Sequence, residues 1–207
     1  MFSTMADLLL RATDRGIGVI ATAAARRSAS LGAAARFTAT GRVINIGHRA
    51  GVVSIGAHTL VSGHLMTFAH SGRISVGVWC FIGAGSRIWS SAEVVIGNRV
   101  LISHGVNIHD TDSHPLDAVA RFAQTEAILT VGHPADINSI RASPVRIADD
   151  AWIGFGATIM KGVTIGERAI VGANAVVRED VPPDGMVAAA PDAIFRRQVR
   201  VAERTSG

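Results

Sequence analysis

The sequence predicts an all-β solenoid built from six-residue units, and three observations carry that prediction. Six consecutive hexads from Ile147 begin with a branched aliphatic residue: Ile147, Ile153, Ile159, Ile165, Val171 and Val177. Their fifth positions are all small and apolar: Ala151, Ala157, Val163, Ala169, Ala175 and Val181. Glycine follows the aliphatic residue at Ile153-Gly154, Ile165-Gly166 and Val171-Gly172. A helix returns to the same face every 3.6 residues and a strand every two, so neither alone keeps a period of six. A short strand plus a turn does keep it. Three such units close one triangular coil, which pairs with the next coil in parallel.

The chain has 207 residues, of which 48% are hydrophobic and 5% aromatic. Aliphatic and alanine columns fill a narrow solenoid interior where large rings rarely fit. Residues 1–42 read as a helical extension, with Leu8, Leu9, Leu10, Ile17, Val19 and Ile20 among alanines and arginines, helical over 2–36. Its uncharged core, Gly16 to Ala25, is about half the length that crosses a bilayer. Asp7 and Asp14 ahead of the apolar run fit a signal peptide poorly. The helix is expected to cap the solenoid or pack on another subunit, with peripheral membrane contact as the alternative.

The solenoid is expected over residues 43–182. It begins irregularly near Val43, runs in phase at Val76, Ile82 and Ile88, slips by two residues near Glu93, and resumes at Ile96, Ile102 and Ile108. From about residue 110 to 144 the hexads stop, and Ala118 to Leu129 reads as a helix within that insertion. An insertion this long is costly to order and usually has a use. Residues 183–207 form a tail with a basic stretch at Arg196, Arg197 and Arg200.

The net charge of +4 resides in residues 1–42, where six arginines face two aspartates. No basic stripe with interleaved aromatics appears, which excludes the usual nucleic-acid surface. Cys80, the single cysteine, occupies a fifth hexad position, so it reads as a packing residue in a reducing, cytoplasmic compartment.

The hexads, the segment Ser113-His114-Pro115-Leu116-Asp117, and the turns Ala151-Trp152-Ile153-Gly154 and Ile170-Val171-Gly172-Ala173 together resemble the hexapeptide-repeat acyltransferases. The nearest group is the sugar and polysaccharide O-acetyltransferases. The resemblance covers roughly residues 76–197 and implies a left-handed parallel β-helix, a homotrimer with sites at the subunit seams, and acetyl-CoA as donor, with no metal.

By that resemblance His114 is the general base. An imidazole titrating near neutrality suits removal of a proton from a hydroxyl. Asp112, or else Asp110, is the candidate to hold its ring. Trp152, Phe155, Ala173 and Arg196 match donor contacts, Arg197 is the alternative to Arg196 and Arg178 a further donor-contact candidate, and Asn107, Arg121 and Arg141 are candidate acceptor contacts. Two departures stand out. Ala189-Ala190-Pro191-Asp192 replaces the family's Gly-Asn-Pro-Ala turn, and Arg178-Glu179 stands where relatives carry a small hydroxylic residue and lysine.

Other readings stay open. One histidine base serves an amine acceptor as well as a hydroxyl. His104, His109 and His114, five apart, resemble the zinc-ligand spacing of the γ-class carbonic anhydrases, which share the solenoid. A non-catalytic scaffold on the same fold is the third.

Overall fold

The computed structural model describes residues 16–134, 140–189 and 194–195. The fold is a left-handed parallel β-helix of about seven coils. Its three faces are sheets of six, eight and six strands in which each strand pairs with its counterpart one coil on. Among the described residues, every pairing within these sheets is parallel except the last, where Met186–Val187 meets Ile194–Phe195 antiparallel.

The period of six becomes geometry in a simple way. In a two-residue strand such as Trp152–Ile153, the first side chain points out and the second points in. The turn that follows brings the fifth hexad position back to the interior. Ile147, Ile153, Ile159, Ile165 and Val171 are therefore at most 1% exposed, as are Ala151, Ala157, Val163, Ala169 and Ala175. Each column continues upward through Ile82, Ile88, Ile96, Ile102 and Ile108. Cys80 is buried in the same core, its Sγ 3.1 Å from the Gly97 carbonyl oxygen, and burial pushes its thiol up.

The solenoid starts at Ser30, not near Val43. Ser30–Leu31 pairs with Ser54–Ile55, and Arg36–Phe37 pairs with Leu60–Val61. The helix described before it (α1) covers residues 16–25. The alanine-rich stretch 29–36 has helical propensity, but pairing to the second coil and burial of Phe37 override it. Helical expectations for residues 2–15, and the tail at 196–207, lie outside the described residues. Among the described residues, no helix is long and apolar enough to cross a membrane.

At one corner, the same turn position carries a left-handed residue on coil after coil: Ala34, His58, Trp79, Arg99, Asp150, Arg168 and Asp184, all with φ between 56° and 60°. These residues interact up the column. The rings of His58 and Trp79 stack at 4.1 Å, and Arg99 and Arg168 each clasp the aspartate one coil on, at Asp150 and Asp184.

The insertion leaves the stack unbroken. Val94–Ile96 pairs directly with Val145–Ile147 across it, so residues 110–144 bulge from one corner. Within the bulge lies a helix, Ala118–Thr130 (α2), capped by Asp117, whose Oδ1 accepts from the Ala120 amide at 2.9 Å. None of its side chains is buried within the chain.

Candidate active site

The neck of the insertion is tied before any functional residue appears. Thr111 bridges Ala142 antiparallel, the Asp112 amide donates to the Arg141 carbonyl at 3.0 Å, and the Ser143 amide donates to that of Asp110 at 2.8 Å. Asp110, fully buried, accepts from Ser90 Oγ at 2.6 Å and from the Ser91 and Ala92 amides at 2.7 and 3.0 Å. Burial pushes its carboxyl up, and these donors partly offset that. The Asp112 carboxylate accepts from Lys161 Nζ at 2.5 Å and lies 3.4 Å from Arg141 Nε.

Both aspartates therefore fasten the neck to the solenoid, and no hydrogen bond joins either to the His114 ring. The expected carboxylate partner is replaced by an amide: His114 Nδ1 lies 2.8 Å from Gln124 Oε1 on α2. With that amide oxygen accepting, Nδ1 carries the hydrogen and Nε2 keeps its lone pair. Ser113, held at φ 62° with its amide on Thr111 Oγ1, turns the chain sharply before His114, and Pro115 is buried behind it. His114 itself is exposed.

Beside His114 the insertion covers part of the third face and encloses a cavity of about 230 Å³. Met66 and Trp89, neighbours in register, form its floor, and Gln124 and Ile128 of α2 contribute to its cover, with His70 and His133 also lining it. Trp89 stacks on His109 at 4.9 Å. Burial, and then Arg87, holds His109 below the ordinary histidine range. Burial, Arg49 and His133 do the same to His70.

The expected donor residues occupy a different corner. Ala84, His104, Phe155 and Ala173 share one turn position on successive coils, followed by Gly85, Gly105, Gly156 and Asn174, all with positive φ. The Gly156 amide donates to the His104 carbonyl, and the Asn174 amide to that of Phe155. A β-carbon on Gly156 would come within 2.2 Å of the Asn174 amide oxygen. Phe155 lies parallel to His104 at 5.2 Å, and Trp152, 47% exposed, is 3.4 Å from Ser103 Oγ through its indole nitrogen. This narrow corner, with backbone close to the surface, suits a pantetheine arm.

The remaining candidates separate. Arg121 donates to the Pro115 and Leu116 carbonyls, Arg141 lies at the neck, and Asn107 ladders between Arg87 and Thr158. Arg178 is exposed, while Arg196, Arg197 and the turn residues 190–192 lie outside the described residues. His104, His109 and His114 each have a different partner, and among the described residues no three His, Cys, Asp or Glu side chains converge on a point. Met66, His70, Trp89 and His133 went unmarked by sequence reasoning. The hexad phase puts Trp89 on the outside of the third face, but nothing local says that the insertion folds over it.

Fold and repeat resemble those of the hexapeptide-repeat β-helix proteins. The family model "Bacterial transferase hexapeptide (six repeats)" matches residues 144–179. The chain is 32% identical over 132 residues to a Schizosaccharomyces pombe protein named for acetyltransferase activity, covering 64% of this chain and 56% of that one. It is 29% identical over 130 residues to the galactoside O-acetyltransferase of Escherichia coli, covering 62% and 56%. A hexapeptide-repeat-containing acetyltransferase from Vibrio cholerae has the same fold, with TM-score 0.57 and 24% identity over 95% of this chain and 94% of that one. The chain spans little more than half the length of the first two relatives.

Proposed function

We propose that this protein transfers an acetyl group from acetyl-CoA to a hydroxyl of a saccharide or glycan precursor, with His114 as general base. The observation that carries the reading is the His114–Gln124 contact at the edge of a cavity: an exposed imidazole with Nδ1 engaged and Nε2 available. The acetyltransferase names of its relatives support it.

His114 Nε2 accepts the hydroxyl proton as the acceptor oxygen bonds to the thioester carbonyl carbon. The tetrahedral intermediate collapses with cleavage of the C–S bond, and His114 returns the proton to the departing thiolate. No covalent enzyme intermediate is needed, and Cys80 is buried in the core.

The site is read as completed in a homotrimer. On the second face, Leu60, Phe81, Leu101, Trp152 and Ile170 stand in register as an outward apolar column over five coils. Leu116, Val119, Phe122 and Leu129 of the insertion are also exposed. Apolar surface on this scale marks an interaction site.

The test is thiol release from acetyl-CoA with a panel of sugar and amine acceptors. Acceptor-dependent release that falls at least about 10²-fold in His114→Ala supports the reading, in line with the usual contribution of a general base. Release unchanged in the variant removes His114 from the chemistry. Preference for amines over hydroxyls moves the assignment to N-acetylation.

A further inference from the structure

The cavity between α2 and the third face holds more information than a base needs. Its floor is aromatic and apolar, formed by Met66 and Trp89, with His109 stacked on the indole from the next coil of the same face. Yet Trp89 Nε1 and His70 Nε2 are buried with no hydrogen-bond partner among the described residues. Buried polar atoms are nearly always satisfied, so two orphans lining one cavity call for a partner. The indole N–H can only donate, so whatever meets it must present an acceptor atom.

Size narrows the choice. A cavity of about 230 Å³ lies below the ~300–1,000 Å³ range of drug-sized ligands, so it admits a single ring and not a run of sugars. An indole face suits a ring edge of C–H groups, while the indole edge suits a carbonyl oxygen.

We propose that the acceptor enters this cavity as one terminal ring, its apolar edge on Met66 and Trp89 and a carbonyl oxygen facing the Trp89 indole N–H, which sets the hydroxyl to be acetylated beside His114. The inference rests on the acetyltransferase reading. The acceptor class it names is a saccharide end unit bearing an acylamido or carboxyl group, in preference to a plain hexose. Trp89 is then a specificity residue that touches substrate, and Ile128 on α2 sets the depth of the cavity.

The experiment uses the full chain labelled with nitrogen-15 at its tryptophan indoles. Trp79, Trp89 and Trp152 give three N–H resonances, and Trp89→Phe assigns the one in the cavity. Probes are methyl glycosides of hexoses, uronic acids and N-acetylhexosamines, each also run in the thiol-release assay. Probes that are acetylated should move the Trp89 resonance, with N-acetylhexosamine or uronic glycosides preferred at least tenfold over hexoses in kcat/KM.

In Trp89→Phe that preference should shrink to about threefold or less. In Ile128→Trp, which fills the cavity from above, KM for the preferred glycoside should rise tenfold or more while acetyl-CoA binding stays unchanged. Turnover with the Trp89 resonance unmoved, or KM unaffected in Ile128→Trp, overturns the proposal while leaving the acetyltransferase intact. Probe binding at Trp89 with no thiol release from any acceptor overturns the acetyltransferase reading, and the acceptor assignment with it.

Discussion

The His114 ring is joined at Nδ1 to the side-chain oxygen of Gln124, ten residues on and one element away. A neutral amide thus occupies the position where a carboxylate was expected. The difference matters because an amide fixes the tautomer and orients the ring without adding a charge beside it.

Replacing Gln124 by alanine should lower kcat about tenfold, matching the roughly 1–1.5 kcal/mol of one orienting hydrogen bond. Gln124→Glu should restore orientation and shift the acid limb of the kcat/KM profile upward, because a nearby negative charge favours the imidazolium. A pH–rate series on both variants checks this. An unmoved acid limb in Gln124→Glu counts against contact in the working enzyme.

Asp110 should matter for stability and not for proton transfer. Asp110→Ala strands the Ser91 and Ala92 amides in the interior, at a cost of about 3 kcal/mol. Thermal melts should show Tm lower by ~6–12 °C, on the usual scaling for a chain of this size. Acetyl-CoA turnover per folded molecule should be nearly intact.

Acidification should weaken the fold through two half-buried histidines. His109 and His70 both sit below the ordinary histidine value, chiefly through burial. The unfolded chain therefore takes up protons first. Their contribution to stability is full above about pH 6.5 and is lost as pH drops from there toward the lower folded-state values. His109→Phe, which keeps a ring on Trp89, should flatten part of that slope in melts taken from pH 7.5 to 5.

Gly156→Ala tests the donor corner. The added methyl requires a left-handed φ of 66° and collides with the Asn174 amide oxygen. Backbone strain alone costs about 1–2 kcal/mol. A several-fold rise in KM for acetyl-CoA, without change in acceptor KM, is expected if the pantetheine arm runs along this corner. Equal effects on both substrates would place the arm elsewhere.

A charge placed in the apolar column should break the assembly. Leu101→Asp lies between Phe81 and Trp152 on the outer face, where it disturbs no core contact within the chain. Light scattering after size exclusion should report a trimer for the wild type and smaller species for the variant. An unchanged mass moves the interface to another face.

The coil architecture was readable because every buried column repeats locally: Ile153 and Ala157 announce the same unit as Ile165 and Ala169. The start at Ser30 was not, since its two-residue strands owe their form to pairing with Ser54–Ile55 and Leu60–Val61, and alanines there speak for helix. His114 was legible from its short motif. Its partner was not, because Gln124 reaches it through the fold of α2, and the carboxylates nearer in sequence are occupied by Lys161 and the Ser90–Ala92 turn. Trp89 was hidden for a related reason. Its outward position is set by the hexad, but its burial depends on an insertion that returns from more than thirty residues away.

The corner column of left-handed residues bears on how such a chain finds its proper stacking. Apolar hexads are nearly interchangeable, so a coil could settle on the wrong neighbour and still bury its isoleucines. The turn residues differ where the core does not: Arg99 meets Asp150, and Arg168 meets Asp184. Were the coil after the insertion skipped, Arg99 would stack on Arg168, and two guanidinium groups would repel where an ion pair belongs. The long insertion makes that skip sterically conceivable where the chain leaves the stack between His109 and Val145. The alternating signs at its flank work as a parity check on assembly, rejecting a miscounted coil that hydrophobic burial alone would accept.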